Sequence, residues 1–508
     1  MNHAEALFAV KAEVLYGALY EAAQETFSIE EAQERINQFM KAKAAASLAI
    51  QAGNRGTVVV PIKANWGPVG TFVEVGSEAA IERIFSAHAL DNGTAYTSLK
   101  LALLGGPKKL LAYRVAGETA KAATLTLKDS SDAAVLQLDA KYPGDRGNGF
   151  YVTIQPGVID NTKHEVRLFE GNRMLYALLT ADISAASLAK EINADESNIW
   201  INAQAIGEGT GVVATVAGAA FKGGASGNDG LTNAEYIAVQ GALEGEQFDV
   251  LALDHAADAP LLASFAAWVK RVRSEGKPVM AVFGGTTADD TSATAAQKAS
   301  ARSLTLNHEG VINVGTGVRL GDAFYSSAET SAYVAGLIAG QRLNESTTYA
   351  PSPFDDVTRR WTRAEQEQAV QNGVFIFFHD GRQVKVLRGV NTLVTPASGQ
   401  NNAWKKIRSI RVMDAINTDL QRSAEDTYIG KVNNTEEGRQ ALIGAMKAYL
   451  ALLAQSNVIE AEGYDVILDP AYYGAAPILK PEADQVFLQW NVKLTDVMEQ
   501  LFGTFYVQ

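Results

Sequence analysis

The sequence predicts an α/β protein: a central α/β domain on a mostly parallel or mixed sheet, an inserted β-rich domain, and an α+β C-terminal domain ending in a strand arm. Three observations carry this reading. Short apolar, β-branched runs alternate with helical stretches over 51–122 and again over 223–350. Between them, residues 123–222 are dense in short strand-like runs. Near the end, Val486, Leu488, Trp490, Val492 and Leu494 alternate with largely polar neighbours, the period of a strand with one buried face.

Each element has its local reason. Residues 4–25 place Leu7, Val10, Val14 and Leu19 near one helical face, and Ser28-Ile29-Glu30-Glu31 is a capping box for a second helix through Ala46. Two readings stay open for this 1–50 extension: packing on its own domain, or an arm that docks on a neighbour. Thr57 to Ile62 and Thr71 to Val75 read as strands, Ser77 and Glu78 open a helix, and Leu110 to Val115 is a short buried strand. The insert offers strands at 124–127, 135–140, 151–155, 165–169, 199–203 and 212–216, with one helix near 187–192. Its glycine-rich exit, Lys222 to Gly230, suits a hinge, and its nearby entry and exit make it separable from the body and expected to point outward.

The α/β rhythm then resumes with strands at 250–253, 278–283 and 311–314, separated by helices, and a small-residue helix from Ser326 to Gln341. A third block is expected from 351 to 483. It holds a hairpin about Asp380-Gly381, a basic helix from Trp404 to Leu420, a long helix from Glu436 to Gln455, and a strand at 464–468. The arm, 484–508, is read as strand, then a short helix from Thr495 to Phe502, then strand again at Phe505 to Val507.

The chemistry-bearing patterns are sparse. The chain has 508 residues, no cysteine and a net charge of −13, which excludes disulfides and thiolate metal sites and argues against general nucleic-acid binding. No basic leader precedes an apolar core at the start, and no apolar run is long enough to span a bilayer. Gly207 to Gly211 lies in the strand-rich insert without a surrounding βαβ unit, so it reads as a turn rather than a nucleotide loop. None of the six histidines pairs with another at metal-ligand spacing. Asp254-His255 ends a strand, where α/β enzymes place catalytic groups, but adjacent strand residues face opposite ways. No catalytic, cofactor or metal residues are assigned.

Several stretches together resemble the contractile tail sheath family of bacteriophages and related injection particles. They are Arg55-Gly56 with Val58 to Pro61 and Trp66-Gly67-Pro68, Lys141 to Asn148, Gly223 to Gly230, Arg411 to Ile416, Tyr428 to Asn434, and the alternating tail Val486 to Val492. The resemblance runs from about Gln51 to Gln508. It implies a structural protein, not an enzyme, that assembles in a host cytoplasm into a virion tail or a phage-tail-like particle. Its implied partners are further copies of itself through terminal-arm exchange, an inner tail tube, and baseplate and tail terminator proteins. Neither nucleic acid nor membrane insertion is implied. The terminal strand, Val486, Leu488, Trp490, Val492 and Leu494, is then the donated arm. The basic helix residues Lys405, Lys406, Arg408 and Arg411 are candidates to face the tube, against the alternative of a solvated helix face. One departure stands out: residues 1–50 read as helical, where the family begins with a short extended arm. A competing reading of the residues is an α/β enzyme with its site at strand ends near Asp254, Gly284-Gly285 or Gly315.

Overall fold

The computed structural model describes residues 53, 55–86, 92–207, 211–501 and 504. The helical reading of 1–50 and the final strand at Phe505 to Val507 lie outside the described residues. The chain divides into two compact units, one holding Gly53 with 415–495 and the other 55–414 with the tail from Asp496.

The larger unit is organised by seven strands: β1 (Thr57–Ile62), β2 (Phe72–Glu74), β3 (Lys109–Arg114), β4 (Val250–Ala252), β5 (Met280–Phe283), β6 (Val311–Val314) and β7 (Val374–Phe375). They form one sheet in the order β7-β6-β5-β4-β1-β3-β2, parallel throughout except for β2 against β3. Period-two geometry sorts their side chains. Val58, Val60, Leu110, Val282 and Ile312 face a core shared with the helices Ala95–Leu104 and Ser327–Gly340. Val59, Leu111, Leu251, Ala281 and Val311 face a second core under the helices Asn233–Gly245 and Ala259–Ser274. Both faces are buried, which is why these strands read as continuous apolar runs.

A sequence boundary at residue 350 does not survive. β7 adds to the edge of the sheet beside β6, with Asn313 opposite Val374 and Val314 opposite Phe375. The hairpin Phe377–His379 with Val384–Val386 adds Phe377, Val384 and Val386 to the first core. Residues 351–414 therefore belong to the central body, because their apolar side chains complete its core rather than one of their own.

The insert is a pair of antiparallel sheets, Thr124–Lys128 with Ala134–Ala140 and Ile201–Ala205, and Phe150–Pro156 with His164–Glu170, Arg173–Thr180 and Val216–Ala220. Two differences from the sequence reading stand out. Arg173–Thr180 pairs along the whole of His164–Glu170, although its run Met174-Leu175-Tyr176-Ala177-Leu178-Leu179 carries no clear alternation. The last strand is Val216–Ala220 rather than 212–216, an Ala- and Gly-rich stretch of weak strand propensity placed by its neighbour.

The insert is less separable than its entry and exit suggest. Trp66 of the body lies in the insert's core, with ring centroids 5.4 Å from Tyr142, 5.2 Å from Phe150 and 6.2 Å from Trp200. Arg114, at the end of β3 and fully buried, donates to the carbonyls of Gly67 and Pro143 at 2.7 Å each and of Ser226 at 3.1 Å. Gly144 has φ +148°, and a Cβ there would lie 1.8 Å from the Asn65 carbonyl oxygen, so only glycine lets the loop close on the body. Arg146 completes the joint, bridging Glu170 at 2.7 Å and donating to the Glu82 carbonyl at 3.0 Å.

The smaller unit is built on the helices Ile407–Ser423, from Ala415 onward, and Glu436–Gln455, with the two-stranded pair Asp465–Leu468 and Leu488–Asn491. Thr435 caps the second helix by accepting from Gly438 N, and Glu436 and Glu437 sit favourably in its first turn.

Candidate functional site

The terminal strand forms, but it is shorter than its alternation suggests and it is not covered. Leu488–Asn491 pairs antiparallel with Asp465–Leu468, placing Val466 opposite Trp490 and Leu468 opposite Leu488. Flanking contacts extend the alignment: Asp469 N donates to Phe487 O at 3.0 Å, Glu460 N to Lys493 O at 2.8 Å, and Ile459 bridges Leu494. Phe487, an apolar residue among the polar neighbours of the alternation, stacks on Tyr472 at 3.8 Å between centroids. Within a single chain Val486 and Trp490 are exposed, at 36% and 38%, and Leu488, Val492 and Leu494 are half-buried. Among the described residues, the second edge of Leu488–Asn491 carries no strand. A four-residue strand with one apolar face, Leu488 and Trp490, and an open edge is incomplete as a sheet element.

Beyond Thr495 the expected helix is absent over the described residues 495–501. The side chains that signal a helix start are engaged elsewhere. The Asp496 carboxylate pairs with Lys406, and the Glu499 carboxylate, with its side chain 5% exposed, accepts from Ser346 at 3.0 Å, Thr348 at 2.8 Å and Arg388 at 3.2 Å. Lys406 also reaches Glu499 at 3.2 Å. These contacts take up the side chains that would open a helix, and Met498 and Leu501 are almost fully exposed.

The four basic residues read as one patch do not form one. Lys405 closes a short 3-10 turn and is partly exposed. Lys406 is spent on Asp496 and Glu499. Arg408 is buried, which lowers its pKa. Arg411 donates to the carbonyl of Gln341 at 2.6 Å, just past the helix Ser327–Gly340, and burial pulls its pKa down to about 10. A cationic helix face in sequence is thus largely a set of internal fasteners.

The strand ends considered for an enzyme site are filled by the chain itself. Asp254 is buried, and its carboxylate accepts from Thr94, from Tyr236 at 2.9 Å and from Lys63 N at 3.2 Å. Against the expectation that the two face apart, His255 Nδ1 lies 2.8 Å from it, because the strand ends at Ala252 and the pair sits in the turn beyond. Burial pushes its pKa up, but these bonds outweigh burial and leave it below the ordinary range. A Cβ on Gly284 would meet the Ser327 backbone at 2.1 Å, and one on Gly315 would meet Val374 at 2.4 Å. Both glycines sit at close packing contacts, where a side chain would collide with a neighbouring element. Among the described residues no three potential metal-ligating side chains gather, and no helix is long and apolar enough to cross a membrane.

Comparison with known proteins places these features. The phage tail sheath protein beta-sandwich domain matches residues 116–228, the phage tail sheath protein central domain 229–392, and the phage tail sheath C-terminal domain 399–508. This chain belongs to the phage tail sheath family. A separate family, the YqzN/YkzM domain, matches residues 1–43. Among curated relatives, the uncharacterized protein YqbK of Bacillus subtilis (strain 168) is 28% identical over 85% of this chain and 90% of its own length. The phage-like element PBSX protein XkdK of the same organism is 27% identical over 87% and 91%. The crystal structure of the sheath tail protein from Desulfitobacterium hafniense superposes with a TM-score of 0.67 at 28% identity, covering 87% of this chain and 98% of that one. The sheath protein is a structural one.

Proposed function

We propose that this sheath subunit polymerises around an inner tube and contracts to drive the tube through a bacterial envelope, in a virion tail or a phage-tail-like particle assembled in the host cytoplasm. Copies are linked by terminal arms, and baseplate and tail terminator proteins close the two ends. The observation that carries the linkage is the strand Leu488–Asn491: its residues are half-buried or exposed within one chain, and one of its edges carries no strand among the described residues. Strand addition from a neighbour supplies main-chain hydrogen bonds for strength and apolar register for specificity. Covering Trp490 in the assembly contributes on the order of 2–3 kcal/mol per subunit by apolar area. For the tube-facing role, Lys405 is the member of the four least engaged inside the fold, and Lys405→Glu tests it by co-assembly with tube protein.

Electron microscopy of the purified full chain is expected to show long tubes, and discrete compact particles would overturn the reading. Removing Asp484 to Gln508 is expected to leave a folded monomer with near-native helicity and no tubes. Loss of the whole fold on truncation would instead make the strand part of its own subunit's core.

A further inference from the structure

A groove of about 280 Å³ opens in the smaller unit, between the helices that contribute Leu420 and Ala424 on one side and Leu442 and Met446 on the other, with Leu488 and Trp490 at its strand side. Its lining is apolar and Trp490 is exposed, so a soluble monomer presents an uncovered acceptor. The chain upstream of Gly53 leaves from the helix Ile407–Ser423, which supplies one wall of the groove. Gly53 N donates to Asp419 Oδ1 at 2.8 Å, and Tyr449 donates to the other oxygen at 2.5 Å, which fixes this anchor. Asp419 is on the same helix as Asn417, Leu420 and Gln421 of the groove wall. Residues 1–43, which match a family of their own, are joined to this point by nine residues, 44–52, a reach of roughly 30 Å when extended.

We propose that the N-terminal segment of this same chain, through the apolar face of Leu7, Val10, Val14 and Leu19, lies in this groove before assembly and covers the Leu488–Trp490 strand. Tethering at Asp419 makes the docking intramolecular, with an effective concentration in the millimolar range, so a modest apolar contact suffices. An amphipathic helix laid into an apolar groove is a common mode of recognition, and its release then exposes the acceptor only when a neighbour competes for it. The docking itself does not depend on the sheath reading. Its consequence, delayed polymerisation, does.

The absence of cysteine makes a direct test simple. In the full chain, Val14→Cys is paired in turn with Asn417→Cys and Gln421→Cys, both exposed polar positions on the groove wall whose replacement leaves the core intact. The same two pairs in a background carrying Leu7→Asp with Val10→Asp, which removes the apolar face of the segment, are the control. Dilute protein is treated with a short bis-maleimide and resolved by size and by peptide mapping. Intrachain cross-links at the two groove pairs are expected at roughly tenfold the yield of the same pairs in the Leu7→Asp, Val10→Asp control. Yields equal to the control overturn the docking. Cross-linked dimers overturn it also, since the occupant then belongs to another copy. Tube formation is scored separately, so failure of the groove test and failure of the sheath reading are told apart.

Discussion

Strand β1 and the strand Leu488–Asn491 each carry apolar side chains, and the molecule treats them in opposite ways. Val58, Val59, Val60 and Ile62 are wholly buried between two helical layers, and β1 is paired on both edges, with β3 and β4. Trp490 is 38% exposed, and its strand has one partner. In β1 every residue that strengthens the pattern also strengthens the monomer. In the terminal strand one apolar face is left only half-covered within a single chain. Hydrophobic alternation therefore reports that a face is to be buried, and says nothing of whose chain will bury it.

Breaking the central body is expected to produce the largest effect. Arg114 stands at the joint of body and insert, fully buried and donating to three carbonyls from three separate loops. Arg114→Met retains most of the volume but leaves those acceptors unsatisfied. It is expected to cost about 3–5 kcal/mol in urea denaturation. Loss of less than 1 kcal/mol would mean that water replaces the guanidinium and that the joint is looser than its contacts indicate.

The joint also shows what could be read in the sequence and what could not. β1 and β4 to β6 were legible because β-branched runs and flanking helices are local signals. β7 was not legible as part of the same sheet, because Val374 and Phe375 gain their meaning only beside Asn313 and Val314. Trp66 stood out in sequence only as part of the stretch Trp66-Gly67-Pro68 and proves to be a core residue of the insert. The apparent helix from Thr495 failed for the same reason: the partners of Glu499, at Arg388, Thr348 and Ser346, lie 111 to 153 residues earlier in the chain. Of the candidate assembly residues, the terminal strand was recognisable from period alone. The engagement of Arg411 and Lys406 was not, since a basic helix face looks identical whether its charges meet solvent or backbone carbonyls.

An intermediate effect is expected at Asp290, which sits in the body beneath the start of the helix Ser327–Gly340. Burial pushes its carboxyl up to about 6, although Ser327 donates to it from both hydroxyl and backbone, at 2.7 and 2.5 Å. A raised carboxyl pKa means the folded chain binds more protons than the unfolded chain between about pH 4 and pH 6. This group therefore adds stability as pH falls through that window and withdraws it as pH rises. In parallel denaturation series, Asp290→Asn is expected to lack this component, so the difference between variant and parent should change by on the order of 1–3 kcal/mol from pH 4 to pH 7. A constant difference across that range would place the ordinary carboxyl titration at Asp290.

The smallest effect on the monomer, and the sharpest test of the contrast, is expected at Trp490. Its side chain is partly exposed, its strand has one partner, and it lines an open groove rather than a closed core. Trp490→Ser keeps the main chain free to pair with Val466 and removes only the apolar cover. The cost to the isolated chain is expected to be no more than about 1 kcal/mol, within the range of ordinary surface-proximal substitutions. The cost to polymerisation is expected to be far larger, because each subunit in a tube repeats the loss. A drop of roughly 2 kcal/mol per contact raises the critical concentration about thirtyfold. Sedimentation of the variant and the parent over a concentration series reads both quantities from one preparation, after thermal melts establish that the two monomers match. If the variant melts much earlier than the parent, Trp490 behaves like Val59 and the strand belongs to its own subunit. If melting and polymerisation are both unchanged, the exposed face of Leu488–Asn491 is not where copies meet.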